Sequence, residues 1–293
     1  INTPITFRNV YHDTAYHFIF QVKDGGFIDG GNVTMDNVTS MATKHTFEYS
    51  SKNGAHTLIQ DSYFKLYVTF SGNHQGTDFH VIRNQFDAYL RFTGVSAVCF
   101  AAGASFVADT NRFNQRLEFF SCPMADSSAT IVNNWIETGV IPSCSSDCFF
   151  DALQWVSSSP VTNTLVYLES NTIVSSSRSA LTFAFASEVA AGSTLHLVNN
   201  TLIATGTYFG LSAFVDGGVL VFESSNRVIN HLSLVFSSGM SNSLLDIEDC
   251  DLQSLYIYVY GAVADSFVII KNTAIAATFT LSTTANVERS NFT

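Results

Sequence analysis

The chain has 293 residues, of which only 13% are charged, with 26 Phe and 11 Tyr. Charge at about half the ~25% usual in soluble domains excludes a disordered chain and a coiled coil. The 13 Lys and Arg against 24 Asp and Glu leave a net charge of −11, so there is no basic field for nucleic acid or an anionic membrane surface.

The chain opens on Ile1, without a Met or a basic leader followed by an apolar run, and is expected to be a processed product or a piece of a longer polypeptide. From there a motif recurs: an alternating apolar run meets Asn or Asp and then resumes. It appears as ITFRNV with Asn9, NVTMDNV with Asn37, HTLIQDSYF with Asp61, FHVIRNQF with Asn84, SFVADTNRF with Asn111 and ATIVNNWI with Asn134. It continues as LVYLESNTI with Asn171, LHLVNNTL with Asn200, VLVFESSNRV with Asn226, LLDIEDCDL with Asp251, FVIIKNTAI with Asn272 and NVERSNF with Asn291. The mean spacing is about 26 residues, a solenoid period. Apolar stretches around Val95 to Ala108 and Leu252 to Ala264 are broken by Ser, Gly, Gln or Cys, and fall short of the ~20 apolar residues of a spanning helix.

Val, Ile, Phe, Tyr and Leu runs of period two, separated by Gly, Ser, Asp and Asn, predict strands and turns, and no helical stripe of period 3.6 is sustained. The period suits three short strands and three turns. The expected fold is therefore all-β, a right-handed parallel β-helix of about 12 coils spanning 1–293 as one domain. Inward Phe, Val, Ile and Leu stack in columns, while Asn84, Asn111, Asn134, Asn171, Asn200, Asn226 and Asn272 are expected to take the left-handed turn position and bond to one another in a ladder. The spacing from Asn134 to Asn171 is overlong, which predicts a loop excursion at about 140–160. Both ends lie in repeat register, leaving no cap. An open end exposes apolar cross-section and unpaired strand edges, so copies of the chain or further β-helix repeats are expected to stack on both.

Cys99, Cys122, Cys144, Cys148 and Cys250 make an odd count. Cys99 and Cys122 lie one coil apart and are expected to bridge neighbouring rungs, with Cys144 bridged to Cys148 to close the excursion; the alternative pairs Cys122 with Cys144 or Cys148. Cys250 is read as a buried free thiol. Sequons at Asn32, Asn37, Asn199 and Asn291 are candidate N-glycan acceptors. Together these features place the chain outside the cell or on its surface.

Two clusters are candidates for chemistry. Asp246, Glu248, Asp249 and Asp251 form an acidic run with no nearby cation in sequence, which reads as a solvated turn more readily than as a calcium site. Asp78, His80, Arg83, Asp87 and Arg91, with His74 before them, bring acid, base and cation into one stretch, but alternation sets Arg83 on the opposite face from Asp78 and His80. His74 and His80 fit no zinc spacing. Nucleophile and phosphate-loop motifs are missing, and the DGG repeats read as turns. Hence no catalytic residue, metal or cofactor is assigned.

The units LHLVNNTLIATG, AVCFAAGASFVADTNRF and DGGVLVFESSNRV resemble those of the dispersed gene family proteins of trypanosomatids and their free-living kinetoplastid relatives. That resemblance covers the whole chain in repeat style. It implies a segment of a large, secreted or membrane-anchored surface glycoprotein with a parallel β-helix ectodomain and adhesive roles, without a catalytic motif. The family's long C-terminal membrane region has no counterpart in this sequence. The expected function is thus a non-enzymatic, structural or adhesive extracellular rod with carbohydrate or cell-surface ligands. The alternative is a carbohydrate-binding or polysaccharide-degrading β-helix, using surface aromatics or the Asp78/His80 face.

Overall fold

The segment Asp78–Ile82 shows how the sequence builds the fold. Phe79 and Val81 are buried while Asp78, His80 and Ile82 face outward, the alternation of a strand with one face on a core. Its backbone groups are satisfied only by neighbours on both sides. Those are His56–Gln60 and Ser105–Asp109, both parallel, placing Phe79 between Thr57 and Phe106.

Repeated along the chain, this pairing gives a parallel β-helix. The computed structural model describes residues 2–13, 16–22, 27–94, 99–138, 151–157, 159–176, 179–185, 188–190, 192–211 and 214–293. Among these there are strands and no helix. Each coil contributes to three sheets. Among the described residues the first sheet has twelve strands, from Ile5–Arg8 to Asn291–Phe292. A turn closes only between two successive strands of that sheet, so complete turns are slightly fewer than the expected twelve. The second sheet has nineteen strands, because most coils bend within it while the last three cross it in single long strands such as Asp251–Val259. The third consists of short strands in runs of seven and three, joined where Phe214 bridges Val189 and Met240.

The corner between the first and second sheets carries the recurring Asn. Asn84, Asn111, Asn134, Asn171, Asn200 and Asn226 point inward and are buried. Each amide oxygen from Asn111 onward accepts both the backbone N–H and the side-chain Nδ2–H of the Asn one coil earlier, at 2.9–3.1 Å. Every Nδ2 also donates to a first-sheet carbonyl, such as that of Ala108 for Asn134. The left-handed conformation lies one residue earlier, at Arg83, Thr110, Asn133, Ser170 and Asn199. The ladder residues therefore do not take the left-handed turn that motivated them; their amides repay backbone groups left unpaired where the strand ends. Asn272 does not belong to the ladder, contrary to the expectation from sequence. It occupies the left-handed position, with φ of 47°, and Thr273 takes the inward place, donating to the carbonyls of Ile247 and Lys271. Before the ladder, Ser62 fills the same slot and donates its backbone N–H to the Asn84 amide oxygen; after it comes Cys250, whose backbone N–H reaches Thr273.

The corner from the third sheet back to the first uses hydroxyls. Thr164 N–H donates to Ser193 Oγ, Ser243 N–H to Ser266 Oγ, and Ser266 N–H to Ser290 Oγ. Ser and Thr are too common throughout the chain for this column to stand out in the sequence.

Inward positions of the second sheet account for the Phe content. Phe47, Phe70, Phe92, Phe119, Trp155, Phe183 and Phe209 stack in register, with ring centroids 4.3–5.9 Å apart. A second column runs Phe64, Phe86 and Phe113 before continuing as Ile136, Ile173 and Leu202. Each buried ring contributes about 1.5–3 kcal/mol from lost apolar exposure, and the parallel offset is a favoured ring geometry.

Cys99 and Cys122 form a disulfide between neighbouring rungs, with Cα atoms 4.7 Å apart, and Cys250 is a buried free thiol. The Cys144 to Cys148 pairing lies outside the described residues, as does most of the expected excursion. Part of that expected span does not leave the coil. Leu153–Ser157 is a second-sheet strand paired with Arg116–Phe120 and Ser179–Phe185, because Trp155 belongs to the aromatic column and its ring N–H bonds to the Cys122 carbonyl.

Candidate functional site

The residue that follows each inward corner residue begins the second sheet and faces out. In successive coils these residues are Tyr63, Gln85, Arg112 and Trp135, held opposite one another by the parallel register. They form the floor of an open groove of about 670 Å³ that runs along the rod beside the ladder corner. From Tyr63 to Trp135 is three rung steps, about 14 Å. Arg83 and Asp61, both at left-handed corner positions, line the same groove and form a bidentate pair at 2.8 and 2.7 Å.

The floor is held in place by its surroundings. Tyr63 Oη donates to Asp87 Oδ2, which pushes the phenol up to about 12. Asp87 also accepts from Gln85 Nε2 and Asn114 Nδ2, each at 2.8 Å. Arg112 Nε donates to Asn114 Oδ1 at 2.8 Å, and Trp135 Nε1 to Glu137 Oε2 at 3.0 Å. Trp135 remains 43% exposed. Asp61 and Asp87 are both held below the ordinary range: Asp61 by hydrogen bonding from Arg83, and Asp87 because its three donors outweigh the opposing effect of partial burial. Neither is disposed to keep a proton at neutral pH, as a general acid must.

The stretch from His74 to Arg91 is dispersed by the coil. His74 is buried in the third sheet against Ser51 Oγ, at 2.6 Å, and burial brings it down to about 4. Asp78 and His80 face out of the first sheet, where Asp78 accepts from Ser105 and His80 packs edge-on against His56. Arg83 is at the corner, and Asp87 lies beyond the groove floor. Arg91 lies on the outer face of the second sheet, 2.7 Å from Glu118 and over the rings of Tyr89 and Phe120. Its neighbour Arg116 reaches the same Glu118 at 3.1 Å. Sequence proximity fails because five-residue strands send consecutive segments to different sheets.

In the acidic run, Asp246 and Glu248 face out of the first sheet, Asp249 is left-handed, and Asp251 faces out of the second. The cations missing from the local sequence arrive from adjacent coils: Lys271 stands 3.8 Å from Glu248, and Arg227 stands 3.8 Å from Asp251. Among the described residues no group of three or more His, Cys, Asp and Glu converges in a way that could hold a metal ion. The sequon residues Asn32, Asn37, Asn199 and Asn291 are all exposed.

The groove residues carry a signal in the sequence, though not one of shared residue type. Gln85, Arg112 and Trp135 each directly follow a marker Asn, and Tyr63 follows Ser62, so aligning coils on the inward residue lines the four up.

The fold and groove define a parallel β-helix with a polar, aromatic-flanked corner groove. Compared with known protein families, curated proteins and solved structures, the chain matches none.

Proposed function

We propose that this protein is a non-enzymatic structural rod of the cell exterior, a cell-surface or secreted β-helical glycoprotein whose end rungs dock further parallel rungs. The observation that carries this reading is the state of the last coil. Ile275, Phe279 and Leu281 pair with the inward residues Leu252, Leu255 and Ile257 and so occupy core positions, yet Phe279 is 50% and Leu281 37% exposed. With Val268, Ile270 and Phe292 they line an apolar hollow of about 340 Å³. At the other end Ile5, Phe7, Phe18 and Phe20 are core positions only partly covered. A β-helix end of this kind is completed by another rung, supplied by the same polypeptide or by a second copy.

The exterior location is supported by the inter-rung disulfide and by four exposed sequon asparagines, which carry N-glycans in this reading. Light scattering and electron microscopy of the secreted 293-residue chain test the docking. Rods that lengthen with concentration, and that shorten when Phe279→Asp places a charge in the end face, are expected. A monodisperse monomer whose length does not change with concentration overturns docking by copies of this chain. Treatment with a peptide N-glycanase tests the glycans: a drop in mass is expected, and an unchanged mass overturns that part.

A further inference from the structure

We infer that the corner groove over Tyr63, Gln85, Arg112 and Trp135 binds an extended, uncharged oligosaccharide lying along the rod axis. The claim goes beyond the structural reading and does not depend on it.

Several features of the groove select this ligand. The floor strands are paired in register on both sides, so no backbone edge is open for a peptide to add as a strand. Recognition must therefore come from side chains. The two ends of the floor are aromatic, and between them stand a carboxamide and a guanidinium, planar groups with fixed hydrogen-bond geometry. A pyranose chain presents C–H faces that pack on aromatic rings and equatorial hydroxyls that bond to planar amides and guanidinium. Successive residues along the axis meet successive rungs, so a chain a few sugars long spans the floor from Tyr63 to Trp135. The charges exclude a polyanion: Arg83 is occupied by Asp61, Asp87 flanks Arg112, and the whole chain carries −11. Preorganisation lowers the binding cost, since Tyr63, Gln85, Arg112 and Trp135 are each already bonded to a neighbour. The site differs from the Asp78/His80 face expected from sequence, which is on the first sheet.

The chain has a built-in reporter. It contains two Trp, and Trp155 is 1% exposed whereas Trp135 is 43% exposed, so a ligand-induced fluorescence change belongs to Trp135. The intact chain is titrated with cellohexaose, xylohexaose, mannohexaose and chitohexaose, and with a heparin hexasaccharide as the charged contrast, following Trp emission and calorimetric heat. At least one neutral hexasaccharide is expected to bind with a shift in emission, and Tyr63→Ala or Gln85→Ala to weaken it about tenfold. Trp135→Ala should abolish the emission change and weaken the calorimetric binding to a similar extent. All three side chains lie on the outer face, so an unchanged circular dichroism spectrum and unfolding midpoint separate loss of binding from loss of fold. Binding of heparin alone, no calorimetric binding by any neutral hexasaccharide, or affinity unchanged in all three variants overturns the inference.

Discussion

The central coils, from Asn84 to Asn226, and the last coils, from Cys250 to Thr293, share one backbone plan but different interiors. In the central coils the corner is an unbroken amide ladder, and the second-sheet column is aromatic up to Phe209. In the last coils a thiol and a hydroxyl replace the amide, and the column, aliphatic from Leu234 onward, continues as Ile257 and Leu281. The coil path thus tolerates several residues at the corner slot so long as each offers an acceptor to the backbone N–H from the coil before. What changes is how many buried polar groups each rung satisfies, and hence its expected local stability.

That comparison is broken most sharply in the aromatic column. Truncation to Ala at both positions is expected to cost about 4 kcal/mol for Phe92→Ala and about 3 kcal/mol for Ile257→Ala, read from chemical denaturation, with amide exchange showing the loss confined to neighbouring coils. Equal costs would erase the distinction. The ladder comes next. Asn134→Ala leaves the buried Asn111 N–H and one Nδ2 proton of Asn111 without their acceptor and removes a donor from the carbonyls of Ala108 and Val132, and should cost about 3 kcal/mol, whereas Thr273→Ala removes a partly exposed hydroxyl that accepts the Cys250 N–H at 3.4 Å, and should cost about 1 kcal/mol. Replacing both Cys99 and Cys122 by Ser should cost roughly 3 kcal/mol for a loop of this size, lowering the melting temperature through the central coils while exchange in the last coils stays as it was.

Acid sharpens the contrast between the early and the last coils. His45 and His74 are held near pKa 4 by burial, below the ~6.5 of an unfolded chain, so the unfolded state takes up protons first. Their stabilising contribution is complete above about pH 6.5 and is lost as pH falls toward 4, by roughly 2–3 kcal/mol each. The last coils contain no His and should keep their amide protection across that window. His74→Phe, which stays within the ring cluster around Phe79 and Phe100, should flatten part of the pH dependence. The smallest effect is expected for Cys250→Asn, which extends the ladder by one step and should change stability by about 1 kcal/mol or less. A large destabilisation would show that the thiol is fitted to its slot.

The corner pattern was legible because one residue type recurs at one place: a buried amide between two strand ends has few substitutes. Asn272 shows where that legibility ends. The left-handed position and the inward position are adjacent, both favour small polar residues, and only pairing tells which of Asn272 and Thr273 turns inward. The hydroxyl column at Thr164, Ser193, Ser243, Ser266 and Ser290 escaped for a related reason, since Ser and Thr are common everywhere in this chain. The long interval from Asn134 to Asn171 suggests an excursion that includes Trp155, yet it contains a normal strand at Leu153–Ser157.

The groove was harder to see. Tyr63, Gln85, Arg112 and Trp135 share no residue type and are separated by whole coils, whereas His74, Asp78, His80, Arg83, Asp87 and Arg91 are close in sequence and belong to different faces. By itself the sequence determined the parallel coil, the apolar columns and most of the ladder, because alternation and periodic Asn are local consequences of a strand with one buried face. Register between coils, and with it the pairing of Arg83 with Asp61 and the alignment of the groove floor, was decided only in the tertiary structure. Each such contact joins residues one coil apart, and coil length varies: ladder neighbours are separated by 23 residues at one step and 37 at another. A variable coil length leaves no fixed spacing from which lateral neighbours can be read.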